Sequence, residues 1–128
     1  MFSRIAVIVA FLSVVTASVK IHEQTFVDEK GRTLIFHGMN AVYKIAPWLP
    51  NVEGFDVDNS LSDIDAQNLN SWGFNIVRLG VMWPGVEPGS RGDYNMTYLD
   101  EIGKIVENLR KADIYVILDL HQDLLHRM

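Results

Sequence analysis

The stretch from Ile114 to Leu120 reads IYVILDL, and Asp119 is its one charged residue. A strand that is apolar on both faces is typical of a parallel sheet with helices packed on its two sides. Asn75 to Leu79 (NIVRL) is a second, mostly apolar strand, and Thr33 to Phe36 (TLIF) is the predicted first core strand. The sequence therefore predicts an α/β fold with parallel strands.

The segments between these strands carry helix signals. A helix is predicted from near Ser62, because Asp65 lies three residues on as a capping-box partner, and Gly73 is its expected end. A second helix is predicted from Met96 to Lys111, where apolar residues recur near the 3.6-residue period. The positions expected to face the core are Ile64, Leu69 and Trp72 in the first helix and Leu99, Ile102, Val106 and Leu109 in the second.

The spacing of the strands predicts part of a barrel. The strands end near Asn40, Gly80 and His121, roughly 40 residues apart, whereas a closed (β/α)₈ barrel takes about 250 residues. Residues 18–128 are therefore expected to form the N-terminal portion of a TIM (β/α)₈ barrel, with about three βα units preceded by a β-hairpin that starts at Val19. A self-contained, open three-stranded α/β domain is the alternative.

The first segment predicts targeting. Residues 1–17 combine a positive charge at Arg4, an apolar run from Ile5 to Val15 and small residues around Ala17, which is the order of a cleaved signal peptide. The run is too short to span a bilayer, which takes about 20 residues. A buried N-terminal helix or an uncleaved anchor are the alternatives. We expect a secreted or endosomal/lysosomal protein without a stable membrane span. Asn95-Met96-Thr97 is a glycosylation sequon, which is used only when a eukaryote exports the chain.

The composition excludes several classes of function. The 128 residues carry a formal net charge of −5 without a run of basic residues, which argues against binding to nucleic-acid backbones. Cysteine is absent, so disulfide frameworks, thiolate zinc sites and cysteine nucleophiles are excluded. Apolar residues make up 48% of the chain, enough for a packed core rather than a disordered segment.

Polar residues follow each predicted strand, at the end where parallel α/β folds gather their functional groups. These residues are Asn40 and Lys44 after the first strand, Arg78 in the second, and Asp119, His121 and Asp123 at the third. Strand periodicity places Asp119 and His121 on one face. If Arg78 points to the same side, it becomes a neighbour of Asp119, which we interpret as an ion-pair partner rather than a catalyst.

Other polar and aromatic residues have a structural and a functional interpretation. Glu87 is a candidate catalytic carboxylate, but the proline- and glycine-containing segment 83–88 favours a structural role in a rigid loop. The H-x-D-x-x-H spacing at 121–126 offers three donors to a metal but no fourth, so no metal site is predicted. Trp48 and Trp83 lie in the loops at the carboxyl ends of the predicted strands. Three interpretations are open for them: stacking on a sugar ring, lining an apolar lipid groove, or closing the loops.

Taken together, these motifs resemble glycoside hydrolase family 5. The residues that carry the likeness are Gly38-Met39-Asn40, the strand NIVRL at 75–79, Trp83 with Glu87-Pro88, and LDLH at 118–121. A narrower likeness, to the endoglycoceramidase branch, lies in the run from Gly38 to Lys44, followed by Pro47 and Pro50, and in His121-Gln122-Asp123. The resemblance covers nearly all of the chain after residue 17.

The resemblance implies a retaining endoglycosidase that cuts the β-bond between an oligosaccharide and ceramide and needs no cofactor. Lys44, His121 and Asp123 are then expected to contact the sugar next to the bond, and Trp83 to line the substrate site. Arg78 is expected to hold the nucleophilic glutamate in its charged form. The partners implied are a glycosphingolipid or another β-glycoside, together with contact to a lipid surface.

The chain departs from the family pattern in its catalytic carboxylates. The family's acid/base is a glutamate after an asparagine at the fourth strand and its nucleophile a glutamate at the seventh, but this sequence contains no Asn-Glu dipeptide. Retaining hydrolysis needs two carboxyl groups about 5–5.5 Å apart. We therefore expect this chain to be an inactive part of a hydrolase. The alternatives are a family 5 hydrolase of β-glucan or mannan, and a non-catalytic module that binds glycan or lipid.

Overall fold

The computed structural model describes residues 19–122, so the predicted signal peptide at 1–17 and the predicted sugar ligand Asp123 lie outside the described residues. The elements follow the order β1 (Lys20–His22), β2 (Thr25–Val27), β3 (Gly38–Ala41), α1 (Asp63–Ser71), β4 (Ile76–Met82), α2 (Trp83–Val86), α3 (Met96–Lys111) and β5 (Tyr115–His121). They belong to two compact units, which divide between Ile35 and Phe36.

The first unit contains a β-hairpin. β1 and β2 pair antiparallel around a turn in which Glu23 has a φ of 54°, so a hairpin forms within the first residues after Val19. The Asp28 carboxylate closes the next turn, where it accepts hydrogen bonds from the backbone N–H groups of Arg32 and Lys30. The bond from the Arg32 backbone is the main cause that lowers the pKa of Asp28.

The second unit is built on a parallel sheet with the strand order β3-β4-β5. Asn40 pairs with Arg78 in the register of β3 and β4, and Asp119 of β5 pairs with Gly80 of β4. Parallel neighbours need long crossover connections. α1 lies in the connection from β3 to β4 and α3 in the connection from β4 to β5, as the α/β prediction requires.

The first core strand begins later than its sequence predicts. The β-branched and apolar residues at 33–36 favour a strand there, whereas β3 runs from Gly38 to Ala41. A β-carbon at Gly38 would overlap the carbonyl of Ile76, so glycine alone allows this approach of β3 to β4. Backbone pairing with the neighbouring strand therefore outweighs the intrinsic strand preference of the earlier residues.

α1 begins at the predicted capping box. The Ser62 hydroxyl accepts a hydrogen bond from the Asp65 N–H, and the Asp65 carboxylate accepts one from the Ser62 backbone N–H at 2.8 Å. Burial raises the pKa of Asp65, but hydrogen bonds from Ser60 and Ser62 outweigh burial and the pKa is lowered. This carboxylate is therefore held in its charged form at the helix N-terminus, where negative charge is stabilising.

Two of the residues expected on the buried face of α1 are exposed. Ile64 is 45% exposed and Trp72 is 68% exposed, whereas Leu69 is buried as predicted. The buried face is set by Leu69 and Ala66, and Ile64 lies two residues before Ala66, on the other side of the helix. Trp72 is the C-cap, beyond the last helical turn, and Gly73 with a φ of 86° ends the helix after it.

α3 has the predicted bounds. The Asn95 side chain accepts a hydrogen bond from the Tyr98 N–H at 3.1 Å and so caps the first turn. α2 is one helical turn in a proline- and glycine-rich segment predicted as a loop. Pro84 is compatible with it because the first helical residues have no intrahelical partner for their N–H groups.

The core lies between one face of the sheet and the helices. Its buried members in β4, α1 and α3 are Val77, Leu79, Val81, Ala66, Leu69, Tyr98, Ile102, Ile105 and Leu109. Because successive strand residues point to opposite faces, Arg78 and Gly80 lie on the face of β4 that points away from this core. The polar residues of the neighbouring strands are therefore to be sought on that face.

Candidate functional site

Arg78 and Asp119 meet on the face of the sheet that points away from the helices. Asp119 pairs in register with Gly80, two residues beyond Arg78 on the neighbouring strand. The guanidinium reaches diagonally across the strands, and Arg78 Nη2 lies 2.7 Å from Asp119 Oδ2. The predicted ion pair between these two residues is confirmed.

The same oxygen of Asp119 also contacts His121. His121 Nδ1 lies 2.8 Å from Asp119 Oδ2, so one carboxylate oxygen joins an arginine of β4 to a histidine of β5. The side chains are 41% exposed for Arg78, 23% for Asp119 and 15% for His121. We refer to Arg78, Asp119 and His121 as the strand-end cluster.

The strand-end cluster fixes the positions of its three side chains but adds little to the free energy of unfolding. Arg78 is partly solvated, and an ion pair of this kind is worth only about 0.2–1 kcal/mol. Chemically, the cluster combines a guanidinium that only donates, a carboxylate that only accepts and an imidazole that does either. Such a set suits the hydroxyl groups of a sugar, which donate and accept, and its arginine suits a carboxylate.

The first parallel strand contributes neighbours to this face. Asn40 pairs in register with Arg78, which places both residues on the same face of the sheet. Val42 fills the space above Gly80, where a β-carbon would lie 3.0 Å from one of its methyl groups. Lys44 is exposed in the loop that follows β3. Lys44 therefore lies at the predicted end of the sheet, and its contact with substrate stays a prediction.

Trp83 follows the last residue of β4 and is partly buried. It opens the helical turn α2 and does not lie in an irregular loop, which corrects the sequence prediction for this segment. Gly85 of the same turn lies against the ring of Tyr98, and a β-carbon there would overlap that ring. The position of Trp83 is thus fixed by a packed turn at the end of the strand.

Tyr98 links three segments around this end of the sheet, and sequence reasoning did not identify it. Its hydroxyl oxygen accepts a hydrogen bond from the Met82 N–H at 2.9 Å, and its O–H donates to the Trp48 carbonyl at 3.3 Å. The side chain is buried, and burial raises its pKa although the Met82 N–H opposes this effect. A tyrosine on the apolar face of a helix is the available signal, because its buried hydroxyl needs a partner.

Trp48 and Glu87 both have structural contacts. Trp48 packs against the core and has a left-handed φ of 68°, and its carbonyl accepts the bond from Tyr98. Of its three interpretations, these contacts favour sealing of the loop. The Glu87 carboxylate, directly after α2, accepts a hydrogen bond from the Gly92 N–H and closes the segment between α2 and α3.

Neither a metal cluster nor a membrane-spanning helix is found in the part of the chain that the structure describes. Between residues 19 and 122, no three His, Asp or Glu side chains are grouped so that they could hold a metal ion. Asp123 and His126 of the H-x-D-x-x-H spacing lie outside that range. No helix within the same range is both long and apolar enough to cross a membrane.

Asn95, in the predicted glycosylation sequon, has a structural role at the start of α3. The cap uses its amide oxygen, whereas a glycan is attached through the amide nitrogen. The cap and a glycan at this residue are therefore chemically compatible.

Comparison with known proteins gives a consistent result. The sequence pattern of "Cellulase (glycosyl hydrolase family 5)" matches residues 27–128, a range that contains the whole strand-end cluster. The chain is 46% identical over 108 residues to an endoglycoceramidase of Cyanea nozakii and 39% identical over 126 residues to an endoglycoceramidase of Hydra vulgaris. These alignments cover 84% and 93% of the chain but 21% and 24% of the relatives, so the chain spans less than a quarter of their length.

Solved structures share the arrangement of the elements. The crystal structure of an endogalactoceramidase matches with a TM-score of 0.64 and 26% identity, over 84% of this chain and 23% of that chain. A sterylglucosidase of Cryptococcus neoformans matches with the same TM-score at 23% identity, over 77% of this chain and 16% of the other, which supports the fold alone.

Proposed function

The chain belongs to glycosyl hydrolase family 5, and we propose that the protein that carries it hydrolyses the β-glycosidic bond of glycolipids. The observation that carries this proposal is the strand-end cluster, in which Arg78 of β4 reaches Asp119 and His121 at the carboxyl end of β5, inside the family match. Membership makes the sheet part of a (β/α)₈ barrel. We infer that β3, β4 and β5 are its first three strands, with the β1–β2 hairpin before them.

The substrate that we propose is a glycosphingolipid cut between its oligosaccharide and ceramide. This finer assignment is supported by the names of the relatives, which include the endoglycoceramidases of Cyanea nozakii and Hydra vulgaris. A third, "Endoglycoceramidase I" of Rhodococcus hoagii, is 40% identical over 97 residues. The "Glucosylceramidase" of Aspergillus fumigatus is more distant, at 28% identity.

We propose distinct roles for the residues at the strand ends. His121, with Lys44 and Asp123, binds the sugar next to the scissile bond, and Trp83 lines the substrate site. Arg78 has Asp119 as its partner in this chain and turns its remaining N–H donors toward the nucleophilic glutamate of the barrel. Contact with a lipid surface is a further part of this proposal.

The catalytic carboxylates are proposed to come from outside this chain. The strand-end cluster supplies one carboxylate, Asp119, and its Oδ2 is already engaged by Arg78 and His121. A retaining mechanism needs a separate nucleophile and proton donor. The 128 residues alone are therefore expected not to hydrolyse glycosides, whereas a longer protein that contains them together with the rest of the barrel is expected to do so.

The test is an assay of the intact protein on two substrate classes. Release of intact oligosaccharide from a ganglioside, without cleavage of cellulose or mannan, is the expected result. The opposite pattern would replace the proposal with a polysaccharide hydrolase. That second candidate is supported by an endo-β-1,4-glucanase structure from Xanthomonas axonopodis, which matches at a TM-score of 0.50 and 25% identity.

The isolated chain tests the non-catalytic alternative. A binding module predicts a monodisperse product that melts cooperatively and binds glycan. The proposal of a partial barrel predicts aggregation, because the apolar residues Ile117, Leu118 and Leu120 of β5 are more than half exposed. Light scattering and calorimetry distinguish the two.

We also propose that residues 1–17 are a cleaved signal peptide and that the protein is secreted or routed to endosomes and lysosomes. The composition of this segment supports the proposal. N-terminal sequencing of the exported protein is expected to start at Ser18 or Val19, and treatment with a glycosidase specific for Asn-linked glycans is expected to remove mass from Asn95. A mature protein that keeps Met1 would contradict the assignment.

A further inference from the structure

One oxygen of Asp119 contacts a nitrogen of Arg78 on β4 and a nitrogen of His121 on β5. Arg78 Nη2 lies 2.7 Å away and His121 Nδ1 lies 2.8 Å away, both from Oδ2. His121 is the most buried of the three side chains, at 15% exposed, so its ring is enclosed on the sheet. The contact with Asp119 therefore influences which of the two ring nitrogens of His121 carries a proton.

The chemistry of the donors decides where the imidazole proton sits. A guanidinium always donates, so Asp119 Oδ2 accepts from Arg78. An ionised carboxylate has no proton to give, and Nδ1 of His121 must then be the donor in their 2.8 Å contact. In the neutral ring this leaves Nε2 as the acceptor nitrogen, and in the charged ring both nitrogens donate.

We infer that Asp119 is a positioning residue, which fixes His121 with its proton on Nδ1 and holds the Arg78 guanidinium on the same face of the sheet. It acts through these two residues and does not touch the reacting atoms. Its consequence for hydrolysis rests on the proposed function, because His121 is there assigned to the sugar. The tautomer of His121 does not rest on it.

The register explains why one carboxylate reaches both partners. Asp119 and His121 are two residues apart on β5 and share a face, and Arg78 lies diagonally across on β4. Gly80, which pairs with Asp119, adds no side chain on β4 beside the carboxylate. Removal of the carboxylate charge thus affects both partners at once, without any change in the loops.

The test is the tautomer of His121 in the intact protein, labelled with ¹⁵N-histidine. The spectra are recorded at a pH at which the ring is neutral, where two-bond nitrogen–proton correlations distinguish a proton on Nδ1 from one on Nε2. The His121 signals are assigned by their loss in His121→Gln. We expect a protonated Nδ1 in the wild type. A proton on Nε2 would overturn the inference without reference to any variant.

Asp119→Asn and Asp119→Ala are the test variants, and Asp100→Asn on the exposed side of α3 is the charge-matched control. An asparagine can turn its amide N–H toward Nδ1, so we expect the proton to move to Nε2 or to be shared, whereas the control keeps the wild-type spectrum. The amide oxygen of an asparagine can also accept from Nδ1, so the refuting result is a folded Asp119→Ala protein, which offers no oxygen, with the proton still on Nδ1.

The activity of the same variants separates this inference from the proposed function. If the intact protein hydrolyses a ganglioside, Asp119→Asn is expected to lower kcat/KM roughly ten-fold or more. The reason is that a histidine with its proton on the wrong nitrogen also lowers the activity of serine hydrolases. If it hydrolyses no glycoside, the proposed function fails, and the spectra still decide the role of Asp119. Where Asp119→Asn does not fold, the inference is decided by the wild-type spectrum together with that of Arg78→Lys, which is expected to keep the proton on Nδ1.

Discussion

Removal of one hydroxyl group tests the link that Tyr98 makes around the end of β4. Tyr98→Phe keeps the ring, and with it the apolar packing, but leaves the Met82 N–H and the Trp48 carbonyl without this partner. Met82 is 6% exposed, so water replaces the lost acceptor poorly. A buried donor without a partner costs about 1–3 kcal/mol. The 3.3 Å bond to Trp48 is long and adds little.

We therefore expect Tyr98→Phe to lower the free energy of unfolding by about 1–3 kcal/mol. Urea unfolding of the intact protein measures this change, and amide hydrogen exchange at Met82 reports the lost bond directly. Tyr94→Phe is the matched control: Tyr94 is 56% exposed, and its change is expected to stay within about 0.5 kcal/mol. A Tyr98→Phe protein as stable as this control, with unchanged exchange at Met82, would refute the reasoning.

Four further substitutions test other parts of the structure. The lowered pKa of Asp65 means that its contribution to stability is present above its ordinary value of 3.8 and is lost as the pH falls through the lower folded value. Asp65→Asn is thus expected to be less stable than wild type near neutral pH, with a difference that shrinks in acid titrations monitored by circular dichroism. Gly85→Ala is expected to lower the melting temperature, because the added β-carbon overlaps the Tyr98 ring. An unchanged melting temperature would contradict the close packing of Gly85 against this ring. Arg78→Lys keeps the charge but loses the planar fork, so a severe loss of kcat/KM is expected in the intact enzyme, whereas Arg110→Lys on α3 leaves it unchanged. His121→Ala is expected to lower kcat/KM with little change in stability, and a loss of no more than a few-fold would remove it from the sugar site.

The sequence predicts α3 and the start of α1 well, because local chemistry decides both. Asn95 caps α3 and apolar residues repeat at helical spacing until Lys111, while Ser62 and Asp65 form a capping box that needs no distant partner. Capping and periodicity act within a few residues of each other. Elements defined in this way are therefore visible before any tertiary contact is known.

The errors have tertiary causes. The first core strand begins at Gly38 because only glycine fits beside Ile76, and strand propensity contains no information about that neighbour. Hydrophobicity predicts Trp72 in the core, yet it is the cap residue of α1 and points away from the short apolar face. The α2 turn was missed because it contains proline and glycine, which are typical of loops.

The candidate site is predictable where strand alternation applies. Alternation places Asp119 and His121 on one face, and the register then brings Arg78 within 2.7 Å of Asp119. The shared use of a single oxygen is not predictable from alternation, because it depends on rotamers and on the twist between strands. Tyr98 escapes sequence reasoning because its hydroxyl bonds lie 16 and 50 residues away in the sequence.

All three residues of the strand-end cluster belong to strands and none to a loop. The segments 53–59 and 88–94 contain neither the core contacts of Trp48 nor the Asn95 cap, and can therefore be lengthened, shortened or exchanged while the backbone ladder keeps Arg78 in reach of Asp119. An engineer who wishes to change the ligand has a conservative route: graft new segments at these two places and leave β4 and β5 untouched. Substitutions in β4 and β5 are therefore expected to impair the strand-end cluster, whereas substitutions in the connecting segments are expected to be tolerated and to change which ligand is preferred.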